Sequence, residues 1–213
     1  MRVAALCDVH GNLPALEAVL AEVASLEVDR IVAGGDVVAG PYANECLELL
    51  LRHDAAFVRG NAERDAQGLP AWVAELPVSL AVGGVRYCHG SPRRDDEILT
   101  RISPDARFRA ALEGVEEPLV VGGHTHVQFE RELDALRFVN AGSVGLPYEG
   151  RSGAFWALVD GLEVELRRTP YAVDAAVAAI RSSGYPEADE LCRLLLEPGD
   201  PDEVSAYFES LAA

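Results

Sequence analysis

The chain has 213 residues, 49% hydrophobic and 25% charged, which suits one globular domain that buries roughly 70% of its unfolded surface. Eighteen basic against 35 acidic residues leave a net charge of −17 at pH 7, which disfavours an extended nucleic-acid footprint and anionic membrane surfaces. All 18 basic residues are arginine, so Walker-type phosphate binding and lysine Schiff-base chemistry are excluded.

In chain order, residues 3–7 form an apolar run of strand length, closed by Asp8-Val9-His10-Gly11-Asn12. Pro14 suits the first turn of a helix whose apolar face is Leu16, Val19, Leu20 and Val23. Arg30–Ala33 predicts a second strand, ended by Gly34-Gly35-Asp36. Ala43–Arg52 predicts a second helix, and residues 55–58 a third strand, ended by Gly60-Asn61. This alternation predicts a parallel sheet covered by helices.

Residues 78–82 and 85–88 flank Gly83-Gly84 as a hairpin. A charged helical stretch over residues 94–112 follows. Strands at 119–121, 128–133, 136–140, 155–159 and 162–168 then predict a second, largely antiparallel sheet. Helices are expected at 171–183, 188–196 and 202–211. The economical reading is one two-sheet domain over residues 1–213, with a helical tail from about residue 171. Four scattered cysteines form no C-x-x-C pair, the apolar start is too brief for a signal peptide, and no run reaches a membrane span. A soluble cytoplasmic protein is expected.

The polar residues fall at the ends of these strands. Asp8 and His10 follow the first strand, Asp36 the second, Asn61 the third, and His89 the hairpin. Gly122-Gly123-His124-Thr125-His126 follows the strand at 119–121. Each has an ordinary reading by itself: a cap or turn for Asp8 or Asp36, a turn for Gly60-Asn61, a hydrogen-bonded histidine for His89. His124 and His126 could share the face of a surface strand. Their joint arrival at five strand ends, where open α/β sheets place their sites, points to metal chemistry. Four of the five histidines belong to this set.

In order and spacing, the segments at Asp8–Asn12, Gly35-Asp36, Gly60-Asn61, His89-Gly90 and Gly123–His126 resemble the five motifs of the calcineurin-like metallophosphoesterases. Asn140-Ala141-Gly142-Ser143-Val144-Gly145-Leu146-Pro147 resembles a segment of their small bacterial and archaeal phosphodiesterase branch. The resemblance implies an α/β fold, a four-layer αββα sandwich of two mixed sheets flanked by helices. It implies a phosphodiesterase that hydrolyses small phosphoesters by attack of a metal-bridging hydroxide, with a phosphomonoesterase, a protein phosphatase or an inactive scaffold as alternatives.

It also implies two divalent metal ions. Asp8, His10 and His126 would hold the first and Asn61, His89 and His124 the second, with Asp36 bridging both; Asp8, Asp36 and Asn61 would thereby be catalytic. Mixed imidazole, carboxylate and amide ligands suit Mn, Fe, Co, Ni or Zn better than Mg. The expected partner is a small phosphoester, with neither nucleic acid nor membrane.

Two departures from the family pattern stand out. Many members carry a histidine after the motif asparagine, thought to protonate the leaving group; here that position is Ala62, followed by Glu63 as the nearest substitute. Tyr148 stands where similar proteins often carry a basic residue. Arg93 and Arg94 are candidates to meet an anionic substrate, or a solvated charged turn.

Overall fold

Short runs of four to seven residues, with one of only two, give ten strands, apolar where buried and alternating in β7 and β10. They are β1 (Arg2–Leu6), β2 (Arg30–Ala33), β3 (Ala56–Phe57), β4 (Ser79–Val82), β5 (Val85–Cys88), β6 (Leu119–Gly122), β7 (Phe129–Leu133), β8 (Leu136–Asn140), β9 (Ala154–Asp160) and β10 (Glu163–Thr169). The helices are α1 (Leu13–Val23), α2 (Ala43–Arg52), α3 (Asn61–Arg64), α4 (Asp105–Ala111), α5 (Val173–Ser182), α6 (Ala188–Leu196) and α7 (Pro201–Leu211). The computed structural model describes residues 1–64 and 68–212.

The first sheet has the order β10-β9-β1-β2-β3, with β1, β2 and β3 parallel and β9 antiparallel to both β1 and β10. The second has the order β4-β5-β6-β8-β7; β5, β6 and β8 run parallel, and β4 and β7 antiparallel at the edges. Both sheets are therefore mixed. The second is not largely antiparallel, and it does not contain the strands near 155 and 162. Residues Ala154 to Val159 are buried without interruption, so β9 has no polar face to present at a sheet margin. It pairs instead with the otherwise open edge of β1, leaving the alternating β10 outermost.

The helix expected over 94–112 is confined to α4, whose N-cap is Pro104. A proline restricts the residue before it away from helix. Upstream, the chain is held in turns such as the Thr100 amide donating to Ser103 Oγ at 2.9 Å.

Three buried clusters define four layers. Val3, Ala5, Cys7, Val32, Tyr87, Val121, Val139 and Val159 lie between the sheets. On the alternate residues of β1, Ala4 and Leu6 face outward with Trp156, under Leu16 of α1 and Leu50 of α2. Phe108 of α4 covers Val120 and Phe138 on the outer face of the second sheet. The result is an αββα arrangement. Among the described residues no helix is long and apolar enough to cross a membrane.

The last three helices extend toward the strand ends. Val177 and Ile180 of α5 pack on Leu191, Cys192 and Leu195 of α6, with Tyr42 and Leu146 against them. Asp200 caps α7, accepting from the amides of Asp202 and Glu203 at 2.9 and 3.2 Å. Glu209 ties α7 down, accepting from Thr100 Oγ1 at 2.8 Å, from Arg107 Nη1 at 2.7 Å and from Ser103 Oγ. Burial opposes ionisation of Glu209, but the hydrogen bonds from Ser103, Thr100 and Arg107 outweigh it and hold its pKa below the usual range. A depressed carboxylate stabilises docking above its unfolded pKa, and that stability disappears as pH falls through the folded value. The protection factors of α7 amides, which correct for the slower intrinsic exchange in acid, are therefore expected to fall as pH drops below about 4.3, and to be low already at pH 7 in Glu209→Ala. Equal protection in the variant and the parent at pH 7 would contradict this.

Candidate metal centre

Each of the five strands β1, β2, β3, β5 and β6 ends within three residues of one of the polar segments singled out from the sequence. Eight described non-glycine residues have positive φ, and five of them are here: Asp8 (55°), His10 (48°), Asp36 (51°), His124 (69°) and His126 (58°). A left-handed backbone is uncommon outside glycine and is kept only where the surroundings impose it. The loops impose it on one another. The Asp8 amide donates to the Gly35 carbonyl at 3.0 Å and the His10 amide to the Asp36 carbonyl at 2.9 Å, while the Gly145 amide donates to the Asp8 carbonyl at 2.9 Å.

The side chains converge. Nε2 of His126 lies 3.0 Å from Asp8 Oδ1 and 3.1 Å from Nε2 of His10. Nε2 of His89 lies 3.5 Å from Asp36 Oδ2 and 3.8 Å from Asp8 Oδ1. Two groups of potential ligands result, Asp8 with His10 and His126, and Asp8 with Asp36 and His89. The His124 ring stands edge-on to that of His89 at 5.0 Å, beside rather than within these groups. Three buried polar atoms have no hydrogen-bond partner here: Asp8 Oδ1, Asn61 Oδ1 and His89 Nε2.

The ring tautomers explain why these atoms face one another. Nδ1 of His89 lies 2.9 Å from the Gly34 carbonyl, and Nδ1 of His126 lies 2.6 Å from the Leu146 carbonyl. A carbonyl only accepts, so each ring carries a hydrogen on Nδ1 and turns Nε2 toward the carboxylates. Buried carboxylate oxygens faced by Nε2 atoms make an electron-rich site that a cation, a proton or a metal ion, would satisfy. Two carboxylates, four imidazoles and one amide are a fitting donor set for divalent transition metals.

The electrostatics agree. Burial opposes the Asp8 and Asp36 charges, but His126 and His89 beside Asp8, and His89 and His10 beside Asp36, hold both carboxyls below the ordinary range. Burial opposes protonation of His89, yet Asp36 and Asp8 raise its pKa to about 10. His10 and His124 are pushed down to about 4, by burial first and then by the neighbouring His126 and His89 respectively. The pair of buried anions is thus the dominant charge of the site.

Glycines allow the backbone this close to the carboxylates. A Cβ on Gly123 would meet Asp8 Oδ2 at 2.3 Å, and one on Gly60 would meet Asp36 Oδ1 at 2.2 Å. The adjoining amides use that room: His124 N–H donates to Asp8 Oδ2 at 2.9 Å and Ala62 N–H to Asp36 Oδ1 at 2.8 Å.

Glu63 is not a substitute proton donor. Its side chain is 1% exposed, and both oxygens are committed to backbone amides. Oε2 accepts from Asp36 and Gly60 at 2.8 and 2.7 Å, and Oε1 from Val37 at 2.8 Å and Val38 at 3.3 Å. The residue clasps the Asp36 loop to the start of α3. Arg93 and Arg94 are likewise engaged elsewhere: Arg93 with Glu97 and the Ala110 carbonyl, Arg94 with Asp96. They form a charged surface turn.

Other residues of the site gave less sequence signal. The Tyr148 ring stacks on His126 at 5.0 Å and 13°, and Phe208 of α7 lies 6.2 Å from the His124 ring. Asn140 Nδ2 donates to the Gly123 carbonyl at 2.6 Å, and Ser143 Oγ to the Asp8 carbonyl at 2.8 Å. The segment at 140–147 therefore braces the loops that carry Asp8 and His124.

The calcineurin-like phosphoesterase superfamily domain matches residues 1–160. An uncharacterised protein, MJ0912 of Methanocaldococcus jannaschii, is 25% identical over 232 residues, covering 87% of this chain and 94% of the relative. The structure is similar to that of a metallophosphoesterase from Sphaerobacter thermophilus, with a TM-score of 0.78 and 27% identity over 93% of this chain and 100% of the other. A novel archaeal phosphodiesterase shares the fold at a TM-score of 0.55 and 15% identity, over 79% of this chain and 99% of the other. With three quarters of its length matched and the ligand-competent loops of that domain in place, the chain belongs to the calcineurin-like phosphoesterase superfamily.

Proposed function

We propose that the protein hydrolyses small phosphodiesters at a centre of two divalent ions of Mn, Fe, Co, Ni or Zn. The observation that carries this reading is the convergence of Asp8 with His10 and His126 and with Asp36 and His89, together with the buried, unpartnered Asp8 Oδ1, His89 Nε2 and Asn61 Oδ1. In the proposed arrangement Asp8, His10 and His126 hold one ion, Asn61, His89 and His124 the other, and Asp36 bridges. Support for the bridge comes from Asp36 Oδ2, which lies 4.0 Å from Nε2 of His10 and 3.5 Å from that of His89. Divalent ions in this position would acidify water and neutralise charge on a phosphoester.

The chain's own residues prepare that chemistry. The Gly34 and Leu146 carbonyls fix the His89 and His126 rings, and the Ala62 amide fixes the Asp36 carboxylate. The amide of Asn61 offers an acceptor to a metal and a donor to a phosphate oxygen. The preference for diesters is supported by the fold of the archaeal phosphodiesterase and by the Asn140–Pro147 segment. A cytoplasmic setting belongs to the same proposal, since all four cysteines are free and buried. The test compares bis- with mono-nitrophenyl phosphate on metal-reconstituted protein. Faster turnover of the diester is expected, and a preference for the monoester would reassign the protein as a phosphomonoesterase.

Ala62 has only a methyl group, and Glu63 is committed to four amides. Neither can protonate a departing oxygen, help typically worth roughly 10²–10⁴-fold. The rate is therefore expected to fall steeply as leaving-group pKa rises, so that nitrophenyl diesters far outpace unactivated alkyl diesters. Ala62→His is expected to help poor leaving groups more than good ones. A flat dependence on leaving-group pKa, with product release shown not to limit, would contradict this.

A further inference from the structure

A cavity of about 240 Å³ adjoins the centre, lined by His10, Gly40, Leu146, Tyr185, Leu191 and Leu194, with Glu187 and Glu190 also on its wall. One side comes from the β1 and β2 loops and the residue whose carbonyl fixes His126; the other comes from α6 and the turn before it. His10 belongs both to the cavity and to the cluster that faces Asp8. Whatever occupies the cavity therefore reaches the reacting group. Its size is below the roughly 300–1,000 Å³ of pockets that enclose a whole drug-sized ligand, so it suits one part of a molecule.

The lining selects the character of that part. Leucines and the Tyr185 ring offer apolar contact, and the charged residues of the wall are both carboxylates. Arg193 approaches Glu190 only to 3.7 Å, and the partner of Glu187 is the neutral Tyr185 hydroxyl at 3.3 Å. The start of α6 adds about half a positive charge, less than two carboxylates. An anionic group placed here would meet like charge, whereas a ring or a quaternary ammonium would meet apolar surface, an aromatic ring and carboxylates. On the hydrolase reading of the neighbouring centre, we propose that this cavity receives the organic arm of the phosphoester. That arm is apolar, about one ring in size, and uncharged or cationic. Substrates whose arm carries a second phosphate or a carboxylate are disfavoured.

The test holds the leaving group constant as nitrophenolate and varies the other arm of the diester: methyl, phenyl, 4-trimethylammoniophenyl and 4-carboxyphenyl. The phenyl and ammonium arms are expected to exceed methyl in kcat/KM by about tenfold or more, and the carboxylate arm to fall below phenyl. Leu194→Trp fills the cavity and is expected to bring the phenyl-to-methyl ratio toward one. Glu187→Gln with Glu190→Gln, both surface changes, is expected to narrow the gap between the ammonium and carboxylate arms. Calorimetric titration of metal-loaded protein with phenyl- and methylphosphonate gives the same comparison without turnover, with tighter binding of the phenyl compound expected. Equal rates for all four arms, or a carboxylate arm as good as phenyl, would overturn the arm assignment while leaving the hydrolase reading intact. Turnover of none of the esters would overturn the hydrolase reading, and the arm assignment with it.

Discussion

Asp36→Ala is expected to lose more activity than any other single change among the seven candidate ligands, Asp8→Ala excepted. Asp36 is 4% exposed, and Oδ2 faces His10 and His89 while the Ala62 amide holds Oδ1. On the proposed dinuclear reading, alanine would remove one negative charge from between two cations and release their spacing. Lewis-acid stabilisation of this kind is worth several kcal/mol, so the loss is on the order of a thousandfold at roughly 1.4 kcal/mol per factor of ten. Asp36→Asn retains size and one coordinating oxygen, and is expected to fall between alanine and the parent. The measurement is kcat/KM on a nitrophenyl diester at saturating metal. An alanine variant retaining about a tenth of the parent rate or more would remove Asp36 from the bridging position.

Glu63→Ala is expected to be the most destabilising polar substitution in the site. It strands the amides of Asp36, Val37, Val38 and Gly60 in a buried region. Each orphaned donor costs about 1–3 kcal/mol, and water entering the vacated space recovers part of that. A net loss of about 3–5 kcal/mol is expected from four orphaned donors that water partly rehydrates. Glu63→Gln separates packing from acceptor chemistry. Its shape is nearly unchanged, but its NH₂ group must face amide donors, so it too is expected to destabilise. Denaturant titration of both variants reads the effect. A glutamine variant as stable as the parent would mean that only the volume of Glu63 matters.

What was legible in the sequence follows physical lines. Strands such as β1 and β2 are short apolar runs ended by glycine and aspartate, and each delivered its polar residues where the sequence placed them. Asp8, Asp36, Asn61 and His89 could be singled out because a metal-competent side chain at a strand end is chemically conspicuous, and the fold gathers Asp8, Asp36 and His89. The partnership of β9 was not legible. Its continuous burial is visible in Ala154 to Val159, but nothing local says which sheet has an edge to cover. The role of Glu63 was hidden for a similar reason. A glutamate beside Asn61 resembles a reacting group until the fold brings four amides to it from two loops. Tyr148 and Phe208 meet the histidine rings only through tertiary packing, and an amphipathic helix such as α7 gives no sign of which residue will lie over a distant site.

The loops, tautomers and unpartnered atoms described above all converge on one quantity, the number of metal ions bound. Elemental analysis of protein reconstituted with Mn and freed of excess metal measures it directly. Two equivalents per chain are expected, falling to about one or fewer in His89→Ala and in Asp36→Ala. Fewer than about one equivalent in the parent protein, under conditions where fold and solubility are intact, would contradict the assignment of these seven residues as ligands of a dinuclear centre.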